Sequence, residues 1–257
     1  MAHSNLSLAD QKGRADARRE LAHELVSGVS GLILALFMWG HVILVGSILT
    51  GARGFDWLAS SLERYYIAQP TVIVIFVLFL VHAVFASRKI PARLRERRAF
   101  LNLSKDLQTR SQRRRSDGHL GGFAPHTESM LWIWQVRTGM VVLVLASFHL
   151  VLLLIDVLTP MFGEQAGIES ATTFARVSGG LWLPYAILLL CVEFHASVGL
   201  YRLTIKWGAG KLLSRSTLHL LEQFIFWVVL VLGFVTLLVL AGVMAPPLEF
   251  LLPESLN

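Results

Sequence analysis

Charged residues along this chain leave five long gaps, and the gaps outline an architecture. Residues 25–52 contain no Asp, Glu, Lys or Arg, and neither do residues 65–87 or 223–248. Residues 129–155 carry only Arg137, and residues 177–201 only Glu193. Each run exceeds the ~20 residues that a helix needs to cross the hydrocarbon core of a bilayer. Backbone inside lipid must satisfy its own hydrogen bonds, so apolar runs of this length predict helices. The expected fold is an all-α integral membrane protein with five transmembrane helices, spanning about 25–51, 67–87, 129–157, 177–203 and 218–246. They form one domain over residues 25–248, with end segments at 1–24 and 249–257 and a basic connector at 88–128.

Composition agrees with the pattern. Hydrophobic residues make up 54% of the 257, the mean hydropathy is +0.61, and only 16% are charged, against ~25% in a soluble domain. The one cysteine, Cys191, excludes a disulfide framework, an iron–sulfur cluster held by this chain alone and a zinc site of the CxxC type. The cations then orient the helices. Of 23 Lys and Arg, four precede residue 25, eleven lie within 88–115 and four within 202–215. The other side has Arg53, Arg64 and Arg176 among the acids Asp56, Glu63, Asp156, Glu164, Glu169, Glu249 and Glu254. The N-terminus is therefore expected in the cytoplasm and the C-terminus outside. The first apolar run is too long for a cleaved signal and no small-residue cleavage site follows it, so the opening segment is expected to be retained. The connector RKIPARLRERRAFLNLSKDL reads either as a topogenic, lipid-facing charge cluster or as a cytoplasmic docking surface. Its place between two membrane helices already accounts for its charge, so nucleic acid need not be invoked.

Histidine is the informative residue. Four of the nine sit within the spans: His41, His82, His149 and His195, on four different helices. A single intramembrane histidine is as readily an interhelical hydrogen-bonding residue as a ligand. Four of them can be compared by depth, because a helix rises ~1.5 Å per residue. His41 and His149 lie in the outer half of helices that run outward, while His82 and His195 lie just before the basic inner ends of helices that run inward. Haem iron takes axial ligands from opposite sides of the macrocycle, so two imidazoles at equal depth suit one bis-histidine haem. Two such pairs suggest two haems stacked across the bilayer. Zinc would need a third or fourth ligand at the same depth. Small residues beside the histidines, Gly40, Ala83, Ser147, Ala196 and Gly199, suit a flat macrocycle and equally suit helix packing.

The blocks GLILALFMWGHVILVGSILTG, LVHAVFASRKIP, SMLWIWQVRTGMVVLVLASFHL and VEFHASVGLYRLTIKWG resemble the dihaem cytochrome b membrane subunit of the fumarate reductase and succinate:quinone reductase family. The resemblance covers roughly residues 27–208 and is greatest to the single-chain, five-helix anchor of bacterial menaquinol:fumarate reductases. It implies two haem b groups, the outer on His41 and His149 and the inner on His82 and His195. It also implies menaquinol as substrate, a cytoplasmic-membrane location, and two partners on the cytoplasmic face: a flavoprotein with FAD and an iron–sulfur subunit. Those complexes can pair as dimers of heterotrimers.

Two carboxylates take roles from the resemblance. Glu193, two residues before His195, is either an acid bonded to a neighbouring helix or, by resemblance, a transmembrane proton relay; its charge inside lipid would cost roughly 2.5 kcal/mol or more. Glu63, within SSLERYY in the outer connection, reads as an ordinary loop acid, whereas the resemblance makes it the group that accepts a proton from menaquinol. Lys206 and Trp132 match positions that hold propionates of the inner haem, and otherwise serve as interfacial anchors. Arg176 is the matching candidate at the outer haem. The family has a Gln-Ser pair before the first helix for a propionate contact, and this sequence has Ser27 and Gly28 there. Arg137, seven residues into the third span, has no counterpart in the resemblance and could snorkel or meet a propionate.

The implied activity is oxidation of menaquinol near the outer haem and delivery of electrons to partners that reduce fumarate to succinate, with the reverse direction open. One alternative is the dihaem anchor of another quinone-linked oxidoreductase, such as a hydrogenase or formate dehydrogenase. The other is a proton-linked transporter, for which the sequence is expected to lack broken helices, internal repeats and polar lining residues.

Overall fold

The computed structural model describes residues 2–88, 90–91, 94–95, 98–99, 102, 127–159, 168–208 and 214–251. Most of the basic connector and the last residues of the C-terminal tail lie outside the described residues. Among the described residues seven α-helices carry the fold: α1 (Ala2–Gly46), α2 (Ala52–Arg64), α3 (Ala68–Ser87), α4 (Thr127–Leu158), α5 (Ser170–Arg176), α6 (Trp182–Lys206) and α7 (Arg215–Leu240). Five helical stretches among the described residues are long and apolar enough to cross a membrane. They pack in a ring: α1 on α3, α3 on α4, α4 on α6, α6 on α7, and α7 back on α1.

The boundaries depart from the apolar runs in four places. α1 begins at Ala2 rather than near residue 25. At 45 residues it is roughly 67 Å long, about twice the ~30 Å hydrocarbon thickness, so it projects well beyond the apolar layer. The connection after it, read from sequence as a loop, contains α2. Gly46 leads into a tight turn over Ser47–Thr50, and Gly51, at φ +96°, lets the chain reverse into α2. α2 buries Phe55 and Ala59, one turn apart, while Trp57 stays 71% exposed, as suits a helix lying flat at an apolar boundary.

The fourth span starts earlier than expected, with α5, and is interrupted by a widened turn over Val177–Leu181 in which Gly180 takes φ +119°. Gly180 supplies the backbone freedom for that break. The fifth span stops at Leu240 rather than near 246, because Gly242, at φ +74°, terminates it. The chain then folds back, and the Leu248 N–H donates to the Leu49 carbonyl at 2.9 Å.

Few side chains are buried within the chain itself. Ile48, Leu49, Phe55, Ala59, Val177, Val239 and Leu240 form one apolar cluster under α2, and Ile75, Phe79 and Leu150 another between α3 and α4. Ile43 (67% exposed), Val144 and Phe224 point outward, where in this fold they meet lipid. The polar exceptions stand out against that background: Ser30, Asp156, Thr172, Arg176, Glu193, Ser197 and Thr236 are buried.

Candidate functional site

The ring of helices brings the four intramembrane histidines together as two couples. His41 on α1 faces His149 on α4 with ring centroids 6.1 Å apart, and His82 on α3 faces His195 on α6 at 6.3 Å. A histidine nitrogen lies ~2.0–2.1 Å from a metal it binds, so two imidazoles on opposite sides of one ion have centroids ~6.3 Å apart. The couples are stacked along the bundle. Tyr185, against His149, precedes His195 by ten residues on α6, or ~15 Å of helix rise. Among the described residues no group of three His, Cys, Asp or Glu gathers as a metal site.

Around His82 and His195 the backbone does the orienting. His82 Nδ1–H donates to the Ser27 carbonyl at 3.1 Å, and His195 Nδ1–H to the Gln135 carbonyl at 2.9 Å. A carbonyl only accepts, so the proton sits on Nδ1 and Nε2 is left with its lone pair, the form in which imidazole binds a metal. Four residues beyond each of these carbonyls is a glycine. A Cβ on Gly31 would stand 2.8 Å from His82 Cε1, and one on Gly139 would stand 2.7 Å from His195 Cε1. The absent side chains are what admit the two rings. The Gln135 side chain adds a further tie, its Oε1 accepting from Arg202 Nη1.

Around His41 and His149 the side chains do that work. His149 Nδ1 lies 3.2 Å from the Tyr185 hydroxyl, and His41 stacks on Phe37, one turn earlier on its own helix. Next to them is a buried ion pair, with Arg176 Nη2 donating to Asp156 Oδ2 at 3.0 Å; these side chains are 5% and 0% exposed.

The other residues singled out from sequence fall as follows. Glu63 lies on α2, where its Oε1 accepts from the Ile168 N–H at 3.0 Å. Its neighbour Asp56 accepts from both the N–H and the hydroxyl of Ser170, latching α2 to the start of α5. Glu193 is 3% exposed and borders a small cavity of about 40 Å³ with Trp39, Ser197 and Glu222, enough for a water molecule. Lys206 pairs with Glu24, Trp132 is half-buried on α4, and Ser27 contributes its carbonyl rather than its hydroxyl to His82. Arg137 is exposed, its guanidinium 5.3 Å from the Trp134 ring centre. Gly40 has open space on its Cβ side.

Gly31, Gly139, Gln135, Tyr185, Asp156 and Glu222 escaped the sequence reading. The four-residue step from Ser27 to Gly31 and from Gln135 to Gly139 was the available signal for the first three.

Residues 110–237 match the family described as the succinate dehydrogenase/fumarate reductase transmembrane subunit. The fumarate reductase cytochrome b subunit of Helicobacter pylori strain 26695 is 31% identical over 221 residues, covering 83% of this chain and 77% of that one. The chain belongs to this family. The fumarate reductase cytochrome b subunit of Wolinella succinogenes is 33% identical over 187 residues, 70% of this chain and 64% of its own length. As a member of the succinate dehydrogenase/fumarate reductase transmembrane subunits with five apolar helices, the chain is a multi-pass membrane protein.

Proposed function

We propose that this chain is the membrane anchor and electron-transfer subunit of a menaquinol:fumarate reductase. It would carry two haem b groups, one on His41 and His149 and the other on His82 and His195. The carrying observation is the pair of imidazole couples, 6.1 and 6.3 Å between ring centres, stacked within a five-helix member of this family. The donor set fits haem: imidazoles in twos, Nδ1 protons of the His82/His195 couple engaged by carbonyls, and glycines where a flat group and its ligands need clearance. Bound haem supplies a one-electron carrier at each couple, so that electrons can cross the bilayer in single steps.

The chain's own residues do the rest. With the basic end in the cytoplasm, the His82/His195 couple faces an iron–sulfur subunit and, behind it, an FAD subunit that reduces fumarate. Quinol is oxidised near the His41/His149 couple at the opposite face, where Glu63 accepts a proton from it. Moving one electron against a membrane potential involves ~2.3 kcal/mol per 100 mV. Glu193, buried beside a water-sized cavity, passes a proton in the same direction and cancels that charge movement. Lys206, Trp132 and Ser27 would hold propionates at the basic end, and Arg176 at the other. Complexes of the three subunits would pair as dimers in the cytoplasmic membrane of a bacterium.

Purification of the tagged chain from its native membrane, followed by assay of menaquinol-dependent fumarate reduction, tests the proposal. Co-purifying FAD and iron–sulfur proteins with that activity support it. A nickel or molybdenum protein in their place would reassign the chain to a hydrogenase or formate dehydrogenase.

A further inference from the structure

The Tyr185 hydroxyl faces His149 Nδ1 at 3.2 Å and lies beside the Arg176 guanidinium. Arg176 is in turn paired at 3.0 Å with Asp156, whose side chain is fully buried. The four residues come from α4, the end of α5 and α6, so the chain of contacts ties three elements together at one ligand. The Nδ1 protons of His82 and His195 go to main-chain carbonyls, and the Ser30 hydroxyl, 3.3 Å from His82 Nδ1, stands against no ion pair among the described residues.

If His149 Nε2 binds iron, its remaining proton is on Nδ1, and Nδ1–H donates to the Tyr185 oxygen. The ring of His149 is thus held in one orientation by a phenol set beside a buried ion pair. Acceptor strength at Nδ1 sets how much electron density the ligand gives its metal. Asp156 offsets the Arg176 charge, which would otherwise favour the reduced, less positive iron.

We propose that Tyr185 is a positioning residue for His149, and that Tyr185 with the Asp156–Arg176 pair sets the reduction potential of the haem at the His41/His149 couple independently of the other haem. The inference rests on the two-haem reading above. Redox titration of the purified membrane complex, followed at the haem absorption bands, tests it. The haem of this couple is identified as the one missing from His149→Ala.

Tyr185→Phe removes the acceptor, and the midpoint potential of that haem rises while the other stays in place. Asp156→Asn removes the negative charge paired with Arg176 and raises the same potential. The expected size is about tenfold in the reduction equilibrium, ~59 mV for a one-electron couple. A packing role for Tyr185 would lower haem content and leave the potential of the remaining haem unchanged. Should Tyr185→Phe fail to assemble, Asp156→Asn carries the test. Two haems in the parent protein with both potentials unmoved in the variants would overturn this inference and leave the two-haem reading standing. Fewer than two haems in the parent would overturn both.

Discussion

The two histidine couples solve one problem with different materials. His82 and His195 are oriented by the carbonyls of Ser27 and Gln135, groups that no substitution removes and no pH change titrates, with the Ser30 hydroxyl a further contact at His82, 3.3 Å from Nδ1. His149 is oriented by the Tyr185 hydroxyl, next to the Asp156–Arg176 pair. Backbone carbonyls in a helix are already bonded to the N–H four residues on. A ring can share such a carbonyl only where the residue four positions on leaves room, and Gly31 and Gly139 occupy those positions. The couple near the basic end is thus fixed by steric clearance. The opposite couple is fixed by a polar network that has to be buried, paired and held by several helices at once.

Breaking each device should therefore produce a different symptom. The largest effect is expected at the glycines. Gly139→Val drives methyl groups into the space of His195, and Gly31→Val does the same to His82; each variant loses one haem of two while the His41/His149 haem stays, counted by pyridine haemochrome. Gly179→Ala, which meets nothing within 4 Å, keeps both. Next comes the polar network. Asp156→Ala breaks the buried pair with Arg176, and breaking a buried pair costs ~3–5 kcal/mol, read as a fall in thermal stability in detergent.

Smaller again in free energy are the proton-handling carboxylates. Glu193→Gln and Glu63→Gln each lower quinol-linked turnover by roughly 10²-fold, the low end for losing a proton-transfer group, with haem content and dye-linked fumarate reduction retained. Quinol turnover that survives Glu193→Gln unchanged removes the relay. The least effect is expected at Lys206→Ala, since the Lys206–Glu24 pair is partly exposed, at 51% and 27%, and such pairs are worth ~1 kcal/mol or less.

Much of the framework was legible in the sequence because lipid enforces it. A run of 20 or more uncharged residues can only be a helix there, and helix rise then converts sequence position to depth. The same arithmetic matched His41 with His149 and His82 with His195, and these are the rings that face each other. What it missed depends on contacts between helices rather than on periodicity along one. Gly139 in a membrane helix has many ordinary reasons to be there, and only the ring of His195 at its Cα distinguishes it. Asp156 looked like a charge at the outer edge, and its burial follows from Arg176 arriving from the start of the next span. α2 carries no transmembrane signal, because its 13 residues include two arginines and two acids. Its amphipathic helical period is present in the sequence, and what the structure adds is the face that it buries, with Phe55 and Ala59.

Binding of haem at both couples through these four residues is decided by haem per mole of chain, measured by pyridine haemochrome together with low-temperature difference spectra during a redox titration, in the parent protein and in His41→Ala and His195→Ala. Two b haems with separate midpoint potentials are expected in the parent, and a different single haem survives in each variant. One haem or none in the parent, or two haems retained in either variant, would contradict it.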